Sequence, residues 1–431
     1  MTKKSKQYIS LVLLFIAATT NVAAQGIFDA LRKNRKMAAS NYYAYPTPAT
    51  SLTPAPKGKK PFYISHYGRH GSRYLSQRKG YDIPFNYLHK GDSLGKLSDT
   101  GKKILKDMES IIKDAEGYWG TLTPIGTEQL RGITQRMMDR FPQVFNKRAV
   151  VDARSTIVNR CILSMATTMN EIAARHPNLK LQMQAAPHDM DYLNFQDKGL
   201  RDSMLNLKAK RAFDSYVIPF RNNQRVTDLL FNDTAYSHHH VDSYWLPYYL
   251  LKTGLMQQNT KMCGDSIIAL FSDNEIHDFW KQENAWWYIC YGPTPIHNER
   301  QPYSQRVLLR HIIECTDSCI KMEHPGATLR FGHETVLLPL VCLLGLNSFD
   351  FVTDNLGELE ANNWWACRVF PMGANIQFVF YRKNRHDTDV LFKVLLNEEE
   401  ATLPLPTDHP PYYRWKDFRE YYLKKLDNYK Y

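Results

Sequence analysis

The sequence predicts an α/β fold that carries an α-helical insertion. Three observations lead there. Short apolar strands at 61–66, 149–153 and 327–331 each run into a turn bearing Arg or His. Amphipathic helical segments alternate with those strands, the order that builds an open sheet with crossover helices. Between 196 and 302 the strand signals give way to basic, aromatic, helical stretches, as expected of an inserted cap.

The elements follow in order. Residues 1–24 read as a removable secretory signal: Lys3, Lys4 and Lys6 precede the apolar run 11–18, and Val22-Ala23-Ala24 supplies the small residues of a cleavage site. That run is shorter than the roughly 20 apolar residues a membrane span requires. A Pro-rich segment, 42–60, is expected to lie extended over the domain. Phe62-Tyr63-Ile64-Ser65 forms the first strand, which ends at the loop Arg69-His70-Gly71-Ser72-Arg73. Ser98 caps a helix over 99–115, and Thr123-Pro124 opens another that turns Leu130, Ile133, Met137 and Phe141 inward.

The second strand, 149–153, passes through Arg154-Ser155-Thr156 into a helix beginning near Asn159-Arg160. A third strand is expected at 179–185, followed by the insertion. Strand 327–331 then leads through Gly332-His333-Glu334-Thr335 into an apolar helix over 336–346. Strands at 375–381 and 390–396 and a surface helix at 412–426 complete the pattern. The expected division is an α/β domain of 25–195 and 303–431 around a helical cap of 196–302.

At 431 residues, 43% hydrophobic and 23% charged, the chain is too apolar and too mixed for a disordered, collagenous or coiled-coil protein. Its formal charge of +12 becomes +9 without the three signal lysines, and a basic exported protein suits an anionic partner. Seven cysteines leave at least one outside any intramolecular bridge. A Cys263–Cys290 disulfide is one option, Cys161 and Cys342 read as core, and Cys315 with Cys319 lack the second pair a zinc site needs. His238-His239-His240 reads as a solvated loop, and His66 as part of the sheet end. No metal or cofactor is expected.

In an open α/β sheet, ligands bind outside the carboxyl ends of the strands. The three strand ends therefore bring together Arg69, His70, Arg73, Arg160, His333 and Glu334. A phosphate monoester carries close to two negative charges, and its transfer requires fixed positive charge around the phosphoryl oxygens. Arg69, Arg73 and Arg160 each offer a planar fork that stays charged at any working pH. Surrounding positive charge keeps a histidine neutral, and a neutral imidazole is a competent nucleophile toward phosphorus. Gly71 would let the loop backbone approach the phosphate, and Glu334 would protonate the leaving oxygen. Arg154 reads as a structural pair behind the pocket.

At these residues the sequence resembles the histidine phosphatase superfamily, in its acid phosphatase/phytase branch. Arg69-His70-Gly71-x-Arg73 is similar to the superfamily signature, Leu122-Thr123-x-x-Gly126 to a branch element, and Arg154-Ser155-Thr156 with Arg160 to its Arg-Ser-Thr-x-x-x-Arg stretch. Phe331-Gly332-His333, with Leu337-Leu338-Pro339-Leu340 after it, looks most like the multiple inositol polyphosphate phosphatases. The resemblance spans about 61–345. It implies a mixed sheet flanked by helices, a helical cap, no metal, a phosphorylated His70, a clamp of Arg69, Arg73 and Arg160, and His333 stabilising the transition state. Glu334 would then be the proton donor. Two departures stand out: Leu75 replaces a customary Pro, and Glu334 follows His333 where the family has Asp or Ala.

The expected activity is an exported, metal-independent phosphomonoesterase on inositol polyphosphates, with a broad acid phosphatase as the alternative. A small anionic phosphorylated molecule is the expected partner, without nucleic acid or stable membrane insertion. Cations that would recognise further phosphates are Arg78, Lys79, Lys208, Lys210 and Arg211, together with Arg221 and Arg225. A rival of another class is a periplasmic receptor in which Trp286-Trp287 and Trp364-Trp365 stack sugars without turnover.

Overall fold

A computed structural model of the chain describes residues 26–48, 50–195 and 197–430; the signal segment 1–24 lies outside the described residues. Helix α1 (Ile27–Lys33) and a 3-10 segment, Arg35–Tyr42, precede the extended arm and strand β1 (Lys60–Arg69). Helices α2 (Lys79–Ser93), α3 (Asp99–Ala115) and α4 (Pro124–Arg140) follow, then β2 (Val150–Ser155), α5 (Asn159–Arg175) and β3 (Lys180–Gln184). The described residues between β3 and the next strand are helices and turns, chiefly α6 (Leu207–Val217), α7 (Trp245–Met256), α8 (Asp273–Tyr291) and α9 (Arg306–Ile320). Strand β4 (Gly326–Gly332) and helix α10 (Glu334–Leu344) return the chain to the sheet. Strands β5 (Asn375–Arg382), β6 (Leu391–Leu396), β7 (Glu399–Ala401) and β8 (Tyr413–Arg414) lead to the terminal helix α11 (Trp415–Asp427).

The sheet is mixed, with the order β3-β2-β4-β1-β5-β6-β7 and β8 beside β6. Strands β3, β2, β4 and β1 are parallel, whereas β5 pairs antiparallel with β1 and begins an antiparallel half. Side-chain alternation along β1 separates two cores. Tyr63 and Tyr67 face α9 and α10 with Leu309, Ile312, Leu337 and Leu340. Ile64 faces the opposite side, with Leu329, Phe331, Met137 of α4 and Met165 of α5. Both faces are covered, which is why β4 and β5 are buried along their whole lengths.

A third core lies in the cap, and it is not made by the insertion alone. Leu31, Leu88, Ile104 and Met108 from the first 115 residues pack with Leu250, Leu251, Phe279 and Trp280 of α7 and α8. The arm runs extended across the antiparallel half, where Thr53 donates from its backbone to Glu400 at 2.8 Å and Tyr45 donates to Glu398 at 3.0 Å.

Several local expectations change. Strand β1 continues through Arg69, because Arg69 N bonds to Ala374 O at 2.7 Å and its residue pairs with Gly332 across β4. Helix α2 escapes the sequence pattern: Pro84 lies inside it and no side chain caps its start. Helix α11 lies at the surface, exposing Lys416, Asp417, Arg419 and Glu420 while it buries Trp415, Phe418 and Tyr422. His66 sits within β1 opposite Leu329 and Gln377, not at the sheet end. His238-His239-His240 ends a short helix, Thr234–His240, with His238 paired to Asp228 at 3.3 Å. All seven cysteines are unpaired; Cys263 is exposed and Cys290 buried, so the possible bridge is absent.

Candidate active site

The sheet register assembles the site. Arg69 lies opposite Gly332 and Ser155 opposite Phe331, so β1, β2 and β4 end level with one another. The residues that follow, His70, Thr156 and His333, emerge side by side. Their backbones are tied: His70 N donates to Gly332 O at 3.0 Å, Gly373 N to His70 O at 2.9 Å, and Thr156 N to Phe331 O at 3.0 Å.

The loop after β1 is pinned by contact with the start of α4. A Cβ on Gly71 would meet the Gly126 carbonyl oxygen at 2.5 Å, and one on Gly126 would meet Ser72 O at 2.3 Å. Gly71 is therefore required for loop-to-helix packing. Thr123 N donates to Ser72 O at 2.8 Å, while the Thr123 hydroxyl caps α4 by accepting from Gly126 N at 3.1 Å. A cap of this kind contributes about 1 kcal/mol.

All six expected residues converge. Glu334, in the first turn of α10 with His333 as its N-cap, stands at the centre. Its carboxylate is 3.1 Å from Arg69 Nε, 3.5 Å from His70 Nε2 and 3.6 Å from Arg73 Nη2. Asn41 Nδ2 donates to Glu334 Oε1 at 3.2 Å. Arg69 also donates to Phe370 O at 2.6 Å, and Arg73 to the Tyr42 hydroxyl at 3.3 Å. Arg160, half-buried at the start of α5, reaches Gly120 O at 3.5 Å. Buried atoms without a hydrogen-bond partner gather here: Arg69 Nη2, Arg73 Nε, Arg160 Nε and His70 Nε2. Unsatisfied buried guanidinium donors are costly, and an anion with several oxygens would satisfy them.

The two histidines are held differently. His70 Nδ1 is 2.9 Å from Gly71 O. A carbonyl can only accept, so Nδ1 carries the hydrogen and a neutral ring has its lone pair on Nε2. Burial pushes His70 well below its usual range; Glu334 opposes this, and Arg69 and Arg73 reinforce it. His333 Nε2 is 3.2 Å from the Thr156 hydroxyl, and its ring lies edge-on to His70 with centroids 5.9 Å apart. Burial lowers His333 to about 4. Burial alone would raise Glu334, but Arg69, His70 and Arg73 outweigh it and hold the carboxyl well below its usual range. Burial also brings Arg69 down to about 10, still protonated at neutral pH.

Among the described residues, His70, His333 and Glu334 form the one group of ligand type, with one donor atom from each all within 4.8 Å of one another. The guanidinium groups of Arg69 and Arg73 beside it repel a cation, so the donor set fits an anion better than a metal ion.

The family profile described as Histidine phosphatase superfamily (branch 2) matches residues 68–397. The chain belongs to that superfamily. It is a histidine-type phosphatase, and its mixed sheet flanked by helices is the fold of that superfamily's solved members. Human multiple inositol polyphosphate phosphatase 1 is 21% identical over 398 residues, covering 84% of this chain and 78% of the human protein. A Bifidobacterium longum multiple inositol polyphosphate phosphatase, in complex with inositol hexasulfate, superposes with a TM-score of 0.74 at 17% identity, covering 89% of this chain and 97% of that one. The phytase from D. castellii gives a TM-score of 0.70 at 14% identity, covering 91% and 85%.

Beside this arginine cluster lies a cavity of about 350 Å³ between the 3-10 segment, α6, α7 and α8. Asn41 and Tyr42 form its wall toward Glu334 and Arg73. None of the seven cations expected to recognise further phosphates lines it. Lys208, Lys210 and Arg211 are exposed on α6. Arg78 pairs with Asp82 at 3.1 Å, Arg221 with Asp214 at 2.7 Å, and Arg225 with Glu275. Lys79 lines a smaller neighbouring pocket that shares Tyr42, Tyr249 and Lys252 with the cavity. Arg154 pairs with Asp152 at 3.1 Å, as expected of a structural residue. Trp287, Trp364 and Trp365 are buried, and only Trp286 of the two tryptophan pairs is half-buried at the cavity.

Sequence reasoning missed Asn41, Tyr42 and Lys252. Asn41 and Tyr42 precede the first strand by about 20 residues, in a segment whose only legible signal was proline content. Lys252 sits in an apolar helix, where its ammonium is 3.0 Å from Glu283. No spacing rule links these residues to the Arg-His-Gly loop.

Proposed function

We propose that the chain hydrolyses phosphate monoesters through a phosphohistidine formed at His70. The observation that carries this reading is a neutral His70 with its Nδ1 hydrogen committed to Gly71 O and its Nε2 inside the arginine cluster. Nε2 attacks phosphorus, the ester P–O bond breaks, and the leaving alkoxide takes a proton. Water then attacks phosphorus in the second step, the P–N bond breaks, and inorganic phosphate leaves with His70 restored. Arg69, Arg73 and Arg160 carry the charge on the phosphoryl oxygens in both steps. His333, oriented by Thr156, donates a further hydrogen bond to one of them.

Glu334 has two states in this scheme. In the free site it is an ionised counter-ion held by Arg69 and Arg73. A phosphate takes over those arginines and sets a like charge beside the carboxylate, both of which raise its affinity for a proton. The protonated Glu334 then donates to the leaving oxygen, and Asn41 fixes the orientation of its carboxyl group. Because three arginines supply the positive charge, turnover is expected to survive chelation of metals.

Similarity to multiple inositol polyphosphate phosphatases from human and Bifidobacterium longum supports inositol polyphosphates as substrates. Residues 1–24 support export to the periplasm or beyond. No helix of the described residues is long and apolar enough to cross a membrane. Phosphate release from inositol hexakisphosphate and p-nitrophenyl phosphate, in EDTA between pH 4 and 8, tests the reading. Release that survives EDTA and disappears in His70→Ala is expected; no release from either compound would sink it.

A further inference from the structure

Two of the seven cysteines stand one turn apart on one face of α9. Cys315 and Cys319 are each half-buried between that helix and the sheet. Both sulfurs converge on one hydroxyl of β4: Thr328 Oγ1 is 3.9 Å from Cys315 Sγ and 4.0 Å from Cys319 Sγ. Tyr63 of β1 donates to the same oxygen at 2.9 Å and lies 4.0 Å from Cys315 Sγ. The Thr328 hydrogen is thereby left to point at a sulfur.

A buried charge lies next to this pair. Arg330 follows Thr328 by two residues, on the same face of β4, and is fully buried. Its Nη1 donates to Ser65 Oγ at 3.0 Å, while Nε and Nη2 have no hydrogen-bond partner. Among the described residues no carboxylate pairs with it; Asp152 on the neighbouring strand β2 is 3.1 Å from Arg154 instead. A guanidinium buried without a counter-ion favours an anion close by. The thiols respond to it. A hydrogen bond from Cys319 pulls Cys315 below its usual range against burial, and Arg330, Thr328 and Tyr63 reinforce the pull. The same bond, with burial, pushes Cys319 up, so the two sulfurs share one proton.

Geometry decides what such a pair can hold. Cβ atoms four residues apart on a helix are about 5–6 Å apart, whereas a disulfide needs about 3.5–4.5 Å, so closing one would distort α9. Metal–thiolate bonds of about 2.3 Å set two sulfurs about 4.6 Å apart across an ion, a span the helix supplies. Zinc takes four ligands, and among the described residues the only cluster of three ligand-type side chains is His70, His333 and Glu334. An ion satisfied by two soft ligands remains, and thiolates select Cu(I). Charge points the same way. Two thiolates and a monovalent ion carry one net negative charge, which Arg330 neutralises; a divalent ion would leave the buried guanidinium uncompensated.

We propose that Cys315 and Cys319 form a two-sulfur clip for a soft monovalent cation of the Cu(I) type. Binding displaces the shared proton and makes two metal–sulfur bonds, with no change of oxidation state. Thr328 stands five residues before His333, roughly 15 Å along β4, so the clip is separate from the arginine cluster and does not depend on the phosphatase reading.

The test titrates the purified protein with Cu(I) under argon, against bicinchoninate as competing chelator. The protein is expected to withdraw one ion per chain. Cys315→Ser and Cys319→Ser should each weaken that binding by about a hundredfold or more, and Cys263→Ser, at the exposed thiol, should leave it unchanged. Footprinting of the unaltered protein makes the result independent of how the variants fold. One equivalent of Cu(I) should slow iodoacetamide alkylation of Cys315 and Cys319, read by peptide mass spectrometry, about tenfold or more and leave Cys263 labelled. Zn(II) at the same concentration should protect neither. Failure to withdraw Cu(I), protection of Cys263 alone, or equal protection of the pair by Zn(II) would overturn the proposal.

Discussion

The arginine cluster and the cap cavity share a wall at Asn41 and Tyr42 and otherwise follow opposite rules. In the cluster, three guanidinium groups surround one carboxylate, and four buried nitrogens still lack a hydrogen-bond partner. In the cavity, the described lining holds eight aromatic residues and one cation, Lys252, that is already paired. The first region is poised for an anion and gains most when one arrives. The second is electrostatically quiet, and what it offers is area and hydrogen bonds.

That contrast can be broken at either end. His70→Ala has the largest expected effect, a loss of turnover by roughly 10⁴-fold or more, because it removes the nitrogen assigned to accept the phosphoryl group. Single-turnover phosphate release measures it, and retention of more than a hundredth of the rate would remove His70 as nucleophile. Arg160→Ala comes next. It touches the cluster and leaves Arg69 and Arg73 in place, so the expected loss is about 10² to 10³-fold in kcat/KM. A loss confined to the hexakisphosphate would instead move Arg160 from catalysis to ring recognition.

Glu334→Gln separates the two states assigned to the carboxyl group. A glutamine cannot donate the proton that an alkoxide needs, so alkyl phosphates are expected to slow by about 10²-fold. p-Nitrophenyl phosphate, whose leaving group departs unprotonated, should slow far less. Equal losses on both would make Glu334 a counter-ion only.

Burial of histidine rings also carries a pH signature, in His66 of β1, His311 of α9 and His333 of the site. His66 and His311 are lowered to about 3 and His333 to about 4, each first by burial. In the unfolded chain these rings titrate near 6.5. Below that pH the unfolded state binds more protons, so stability is complete above about 6.5 and is lost as pH falls toward 4. Glu334, depressed in the folded state, adds to the loss below about 4.5. A thermal midpoint that falls progressively from pH 7 to pH 4 is expected; a flat profile would mean that these rings are charged in the folded protein. The nucleophile should meanwhile remain neutral, and so active, well below pH 6.5.

The smallest effect belongs to the exposed cations of α6. Replacing Lys208, Lys210 and Arg211 together by alanine should change kcat/KM less than about twofold at 0.15 M salt, where exposed charges are screened. A large loss on polyphosphorylated substrates would place α6 at the substrate after all.

The chemistry of the cluster follows from local residue order. Arg69 ends a strand with His70 and Arg73 in the loop after it, Arg160 stands near the start of the helix after β2, and His333 with Glu334 opens the helix after β4, so backbone periodicity puts each just beyond or at a strand's carboxyl end. Level strand ends then bring them together, as the pairings Arg69–Gly332 and Ser155–Phe331 record. The cavity and the state of Glu334 depend on long-range packing. Asn41, Lys252, Glu283 and Trp286 come from three helical segments spread over about 245 residues, and their meeting depends on how the cap core packs. The charge on Glu334 likewise depends on distances to Arg69 and Arg73 that no spacing rule encodes. Local residue order fixes what a side chain is and which strand end presents it; long-range packing fixes what it faces, and so its protonation and its ligand.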